Sequence, residues 1–277
     1  MNKVKQSFTL VEILVVIVII GILSSFIFFT INDSVEKASI AKSKMFSESI
    51  RNNLLLNLVS EWKLDGDVTD SWGSNDATNN GATFVTDESQ CISGECLDFD
   101  GGGDYLDLNY NTITNKTILM WIRSDIALDS SVMLFGVQSP DANSRYYFGF
   151  DGSGHLGMGV GLYAWSNEAN NYSVDKKWHN YVLVSDNTTH SIYVDGNYRG
   201  QKTSASMVAT GDYYIGAYHY LNSSGYFLDG MVDEIQIYNA AISESQIKQN
   251  YLLGLNNLYA KGQISLEEYN NKISLNE

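Results

Sequence analysis

Residues 8–31 of this chain, FTLVEILVVIVIIGILSSFIFFTI, run 24 positions with a single charge, Glu12. At about 1.5 Å per residue a helix of that length covers about 36 Å, enough to cross a bilayer. Lys3 and Lys5 precede the run and predict a cytoplasmic N-terminus, with everything beyond the run exported. A secretory signal peptide has a shorter apolar core and a small-residue cleavage site, so it fits poorly. The helical pattern also continues. Val35, Ala38, Ala41, Met45, Ile50, Leu54 and Leu58 recur at steps of three to five, while Lys37, Lys42, Lys44, Glu48 and Arg51 fall mostly elsewhere. One helix from Phe8 to Val59 would be about 78 Å long.

Glu12 stands out because a carboxylate near the start of a membrane helix is costly and needs a partner. The apolar run contains no basic side chain. A free amine at Phe8, exposed by cleavage after Ser7, would supply one. The string QSFTLVEILVVIVIIGIL resembles the N-terminal signature of type IV pilins and of type II secretion pseudopilins, over roughly residues 3–55. The resemblance implies that a prepilin peptidase removes residues 1–7 and methylates the Phe8 amine. Glu12 would then pair with the Phe8 amine of a neighbouring subunit during fibre assembly. Ser7 replaces the Gly usual in the family, and Phe29 stands where many pilins have Pro; Gly21 is shared.

Charge divides the rest of the molecule. Of the 277 residues, 1–60 carry 6 Lys/Arg against 4 Asp/Glu, and 61–242 carry 8 against 24. Residues 243–277 carry 3 against 4. The middle segment, at net −16, would repel a phosphate backbone, which argues against nucleic-acid binding. Its two cysteines, Cys91 and Cys96, are too few for a zinc site. They read as a local disulfide in an exported domain, or as two free buried thiols.

From Glu61 to Asn239 short strands alternate with turn signals such as GGGD, DGSG, DNTT, DGN and NSSG. About a dozen strands without an intervening helix predict an antiparallel sandwich. WKLDGDVTDSWGSNDATNNGATF (62–84), CLDFDGGGDYLDL (96–108), TILMWIR (117–123), WHNYVLVSDNTTHSIYVDG (178–196) and GMVDEIQIYNAAISESQI (230–247) follow in an order that resembles laminin-G-like domains. These belong to the concanavalin A-like lectin/glucanase superfamily, here in its pentraxin-like form. The resemblance spans 60–250 and implies a mainly β, jelly-roll sandwich of two curved sheets.

That likeness raises three questions of chemistry. The superfamily's glucanases carry paired carboxylates in an E-x-D-x-x-E pattern, and no such string occurs here. Asp233 and Glu234 are adjacent, so on a regular strand they face opposite sides. His155, His179, His190 and His219 lie in strand-like surroundings without a nucleophile signature, and His179 reads as structural. A non-enzymatic role is therefore expected. The resemblance also implies a calcium position, approximated by Asp65, Asp70, Asn75 and Asp233, all of which also suit turn capping. Glycan-stacking candidates are Tyr146, Tyr147, Tyr163, Trp165, Tyr218 and Tyr220, with sheet packing as the alternative. Trp62, Trp121 and Trp178 read as core.

The tail, 243–277, has two capping boxes, Ser243 with Gln246 and Ser265 with Glu268. Gly254 is expected to stop the first helix, and the hairpin either docks on the sandwich, packs between subunits or stays solvated.

The domain organisation is thus a leader (1–7), an assembly helix (8–59), a laminin-G-like head (60–242) and a helical tail (243–277). The expected function is a structural or adhesive subunit of a type IV pilus, made as an inner-membrane precursor and displayed outside the cell. Its partners would be like subunits, prepilin peptidase and surface glycans. A secretion pseudopilin, or a membrane-anchored lectin that never polymerises, are the alternatives.

Overall fold

The computed structural model describes residues 10–11, 13–21, 57–110, 116–125, 131–137, 146–160, 163–169, 175–186, 188–203, 211–220 and 223–276. Side chains are described for these residues except 160, 163–169, 219, 220, 223 and 224. Ser7, Phe8 and Glu12 lie outside the described residues. The chain divides into two units, Met1–Ser49 and Ile50–Glu277.

In the first unit, residues 10–11 and 13–21 are helical (α1). Leu10, Val11 and every residue from Ile13 to Ile20 are exposed, so this helix is apolar all round. Among the described residues no helix is long and apolar enough to cross a membrane.

The first described element of the second unit is a strand. β1 (Leu58–Trp62) already pairs with the last strand, Leu58 opposite Tyr238, so the expected helix does not extend to Val59. The larger sheet, A, has eight strands. Its order is β13 (Asn197–Thr203), β12 (Thr189–Val194), β11 (Trp178–Asp186), β6 (Lys116–Ser124), β17 (Asp229–Tyr238), β4 (Cys96–Asp100) and β3 (Thr83–Val85), with β1 also on β17. Sheet B has seven: β10 (Tyr163–Ala169), β9 (Leu156–Val160), β8 (Tyr146–Phe150), β7 (Val132–Val137), β14 (Tyr213–Ile215), β5 (Tyr105–Asp107) and β2 (Thr78–Asn80). A small ribbon joins β15 (Tyr218–Tyr220) to β16 (Ser223–Gly225). The described pairs are antiparallel, as the alternating pattern predicts.

Period-two alternation builds the core between the sheets. Ile118, Met120 and Ile122 of β6 and Val232, Ile235 and Ile237 of β17 point inward to meet Phe135, Tyr146, Phe148 and Tyr213. The other face of sheet A is apolar too, and it is covered. Leu119, Val182, Val184 and Tyr238 pack on Ile242 and Ile247. Trp121, Trp178 and Met231 pack on Tyr251, Leu255, Leu258 and Tyr269. This is why TILMWIR reads as an uninterrupted apolar run rather than a half-polar strand.

The covering layer is the tail. α2 (Glu244–Ala260) starts at the Ser243–Gln246 capping box, and α3 (Leu266–Ser274) is capped by Ser265. Of the open readings, docking is the one realised. Gly254 does not end α2. It lies in contact with the Trp121 indole, where a Cβ would fall 2.2 Å from Cζ2. Gly254 thus lets helix and sheet approach closely. The helix stops instead at Gly262, whose φ of +72° suits the left-handed turn after a helix.

Candidate functional site

Cys91 and Cys96 form a disulfide, with Cα atoms 5.6 Å apart. The loop between them is gripped from three sides. Asp233 accepts from the Ile92 and Ser93 amides at 2.8 and 3.0 Å. Asp65 accepts from the Glu95 amide at 3.0 Å. From the tail, Lys261 Nζ and Gln263 Nε2 donate to the Cys91 carbonyl at 3.1 and 2.8 Å. Reducing this bond frees a short loop, and on the chain-entropy model that costs about 2 kcal/mol. Thermal unfolding with and without a thiol reductant measures it; an unchanged midpoint would show that the grip alone holds the loop.

Asp233 and Glu234 do not face opposite sides. A register shift between Asp233 and Gln236, with Glu234 at φ 49°, forms a bulge in β17. The extra residue turns both carboxylates toward the disulfide loop, since the Glu234 side chain also bonds Ser93. Burial, reinforced by the neighbouring Glu234 charge, pushes Asp233 well above the usual carboxylate range. Burial and the charge of Glu61 push Glu234 up to about 7.

Asp70 and Asn75 lie together in a separate turn. Asp70 Oδ1 accepts from the amides of Glu61, Trp72 and Gly73, and Oδ2 from that of Asn75. Burial opposes its ionisation, but the Gly73, Glu61 and Asn75 amides outweigh burial and hold the carboxyl below its ordinary value. Asn75 donates to Ser60 Oγ at 2.7 Å, and its carbonyl accepts from Trp62 Nε1. The four residues expected around calcium therefore split into a turn cap and a loop anchor. Among the described residues no group of three or more His, Cys, Asp or Glu is placed to hold a metal ion. Backbone amides instead bond Oδ1 of Asp65 and both oxygens of Asp70 and Asp233.

His179 sits between Asp195, 2.8 Å from Nδ1, and Asp175, 2.9 Å from Nε2. Burial disfavours its charge, but the Asp195 and Asp175 carboxylates prevail and raise it to about 9. Lys272 of α3 reaches Asp195 at 3.6 Å, so this cluster pins the tail to the sheet. His190 is buried against Ser185 Oγ at 3.0 Å, and burial lowers it to about 4. His155 bonds Asp151 at 3.2 Å. The His219 side chain lies outside the description.

The aromatic candidates separate cleanly. Tyr146 is fully buried in the inter-sheet core, its hydroxyl 2.7 Å from Ser185 Oγ, so it presents no face for stacking. Tyr147, next along β8, faces the other way and lies over Gly159, where a Cβ would fall 2.0 Å from the Tyr147 Cζ. At Gly136 a Cβ would instead meet the Ala217 carbonyl at 3.1 Å, with the Tyr218 ring 3.9 Å away. The Tyr147 and Tyr218 rings are 5.5 Å apart, and Tyr226 continues the row at 6.2 Å from Tyr218. Tyr226 is 53% exposed and holds a φ of 58°. Sequence reasoning missed Tyr226; its signal was an aromatic directly after the NSSG turn signal. The side chains of Tyr163, Trp165 and Tyr220 lie outside the description. The outer face of sheet B thus carries a tyrosine row, with Tyr147 buried over Gly159 at one end and Tyr226 open to solvent at the other. Such a row offers ring faces and hydroxyl groups together.

Comparison with known proteins agrees with this geometry. A prokaryotic N-terminal methylation motif matches residues 2–28. Curated proteins give no significant match. Solved structures do. Domain 4 of AbnA, a GH43 extracellular arabinanase of Geobacillus stearothermophilus solved with arabinotriose, aligns with TM-score 0.54 and 17% identity, over 69% of this chain and 97% of that one. Trypanosoma rangeli sialidase aligns with TM-score 0.56 and 16% identity, over 77% of this chain but only 38% of that one. A structure concerning botulinum neurotoxin type C and ganglioside-dependent cell entry aligns with TM-score 0.56 and 11% identity, over 73% and 52%. At these identities the likeness is one of fold. The family model for concanavalin A-like lectins and glucanases matches residues 100–248, more than half of the chain. With that match and its two-sheet sandwich, the chain belongs to the concanavalin A-like lectin/glucanases superfamily.

Proposed function

We propose that this protein is a pilin-like subunit of a surface filament whose lectin-like head binds carbohydrate. The observation that carries the reading is the union, in one chain, of a methylation motif at 2–28 with a concanavalin A-like domain at 100–248. In this reading prepilin peptidase cleaves after Ser7 and methylates Phe8. Glu12 pairs with the Phe8 amine of the next subunit, and the apolar helices pack as the fibre core. The precursor is anchored in the membrane, and the acidic head then faces outward, where its charge keeps neighbouring heads soluble. The head's role is structural and adhesive rather than catalytic. Tyr218 and Tyr226 form the platform for a sugar ring, backed by the largely buried Tyr147.

Glu12→Ala tests the assembly half. The Glu12 carboxylate has no substitute in the apolar run, so the variant is expected to accumulate in the membrane and vanish from sheared filaments. Peptide identification on purified filaments reads the outcome. A variant that enters filaments as well as the wild type would sink the subunit reading, and would favour an anchored lectin that does not polymerise.

A further inference from the structure

Eleven Lys and Arg residues follow residue 60, and four of them line one cavity: Arg123, Lys176, Lys177 and Lys272. The cavity measures about 320 Å³ and lies between the outer face of sheet A and the C-terminal helices. It is therefore on the opposite side of the sandwich from the tyrosine row. Glu268 is the single carboxylate among its lining residues. The four cations are gathered by bringing β6, the loop before β11 and α3 together.

The cations are not all spent on internal pairs. Lys177 bonds Glu268 at 2.9 Å and Lys272 approaches Asp195 at 3.6 Å. Arg123 reaches Asp125 through one Nη at 3.0 Å, while its Nε is buried without a hydrogen-bond partner among the described residues. A guanidinium is a planar fork suited to oxyanions, and Asp125 engages only one of its two Nη atoms. Lys176 is exposed and held at φ 60°, a conformation uncommon for lysine. The remaining wall is apolar: Trp178, Leu258 and Ile264. The Trp178 Nε1 is already taken by the Gln90 carbonyl at 2.8 Å, so the indole offers only ring surface.

A small cavity with an apolar wall, four lining cations against one lining carboxylate, and an exposed lysine at its mouth suits one ring-sized molecule bearing an anionic group. We infer that this cavity binds a sugar-sized ligand through a carboxylate or sulfate oxyanion, making the head a two-site binder with an acidic-saccharide site under the tail. Arg123 takes the oxyanion, Lys176 adds charge at the mouth, and Trp178 with Leu258 and Ile264 contacts the ring. The site does not depend on the tyrosine platform or on filament assembly.

The test uses the full chain in detergent and ligand-observed NMR titration with three probes: glucuronate, glucose 6-sulfate and glucose. Either anionic probe is expected to bind about tenfold or more tightly than glucose, because a charge-assisted bond to arginine contributes about 1.5–3 kcal/mol. Its affinity should fall with added salt. Which anion binds identifies the source of the oxyanion. Arg123→Gln is expected to weaken that probe about tenfold. Lys176→Asn, which tolerates the left-handed backbone and keeps the fold, should weaken it about threefold to fivefold. Equal binding of glucose and both anions overturns the inference. So does undiminished anion binding in both variants, or no anion binding up to about 10 mM, the limit of a useful affinity.

Discussion

Replacing Lys116 with methionine is expected to stabilise the head by about 4 kcal/mol at pH 6, and the gain should disappear towards pH 10.5. Lys116 opens β6 and is 2% exposed. Its ammonium lies over the Tyr213 ring, 4.6 Å from the centroid, and 5.6 Å from that of Tyr110, and it donates to the Tyr213 hydroxyl. Burial pulls its ordinary value of 10.5 down to about 7. Above about pH 7 the folded state therefore holds this group neutral while the unfolded chain still binds the proton. Stability then rises with pH between about 7 and 10.5, and below 7 the full cost of the buried charge is present. Each unit of displacement is worth about 1.4 kcal/mol, and losing the bond to Tyr213 returns about 1 kcal/mol of that. Methionine has similar length and no charge to desolvate. Denaturant unfolding of wild type and variant at pH 6, 8 and 10 gives the difference directly. A gain that does not shrink with rising pH would mean that packing, not ionisation, separates the two proteins.

Gly254→Leu should act in the opposite direction. A glycine inside an exposed helix usually costs about 1 kcal/mol against alanine, so helix propensity alone predicts stabilisation. Here a Cβ would fall 2.2 and 2.5 Å from Trp121 Cζ2 and Cε2, with Trp121 itself 2% exposed and stacked on Tyr251 at 5.7 Å. Neither ring can retreat, because both belong to the cluster that joins sheet A to the tail. The expected result is a loss of about 3 kcal/mol or more, with α2 lifting from the sheet. Amide hydrogen exchange across α2 reads the lift, and a separate denaturation curve reads the loss. Unchanged exchange in α2 would show that the helix does not depend on this contact.

These two positions also show where sequence reading stops. The strands of the sandwich were legible because alternation is local: Ile192, Tyr193 and Val194 announce a half-buried strand without reference to any partner. The capping boxes at Ser243 and Ser265 were legible for the same reason, each depending on residues three apart. Gly254 was read as a stop because a glycine's local meaning is flexibility, whereas its role here comes from an indole 133 positions earlier. Asp233 and Glu234 were assigned to opposite faces because a bulge is a property of strand pairing, not of the strand. Tyr146 and Tyr147 look alike in the chain, and only the partner sheet places one in the inter-sheet core and turns the other, still largely buried, to the outer face. The expected helix to Val59 failed at Leu58 because that residue also fits a strand, and pairing with Tyr238 decided it.

The sequence by itself determined what depends on local order and composition. That covers the apolar run with its single Glu12, the acid concentrated after residue 60, the alternating strands, the nearby Cys91–Cys96 pair and the caps of the tail. The tertiary structure alone decided which faces are covered and which charges meet. It buried Lys116, laid the tail over sheet A, and gathered Arg123, Lys176, Lys177 and Lys272 around one cavity. The physical reason is range. Periodicity and capping act over a few residues, whereas desolvation and electrostatics depend on neighbours that only the folded chain brings together.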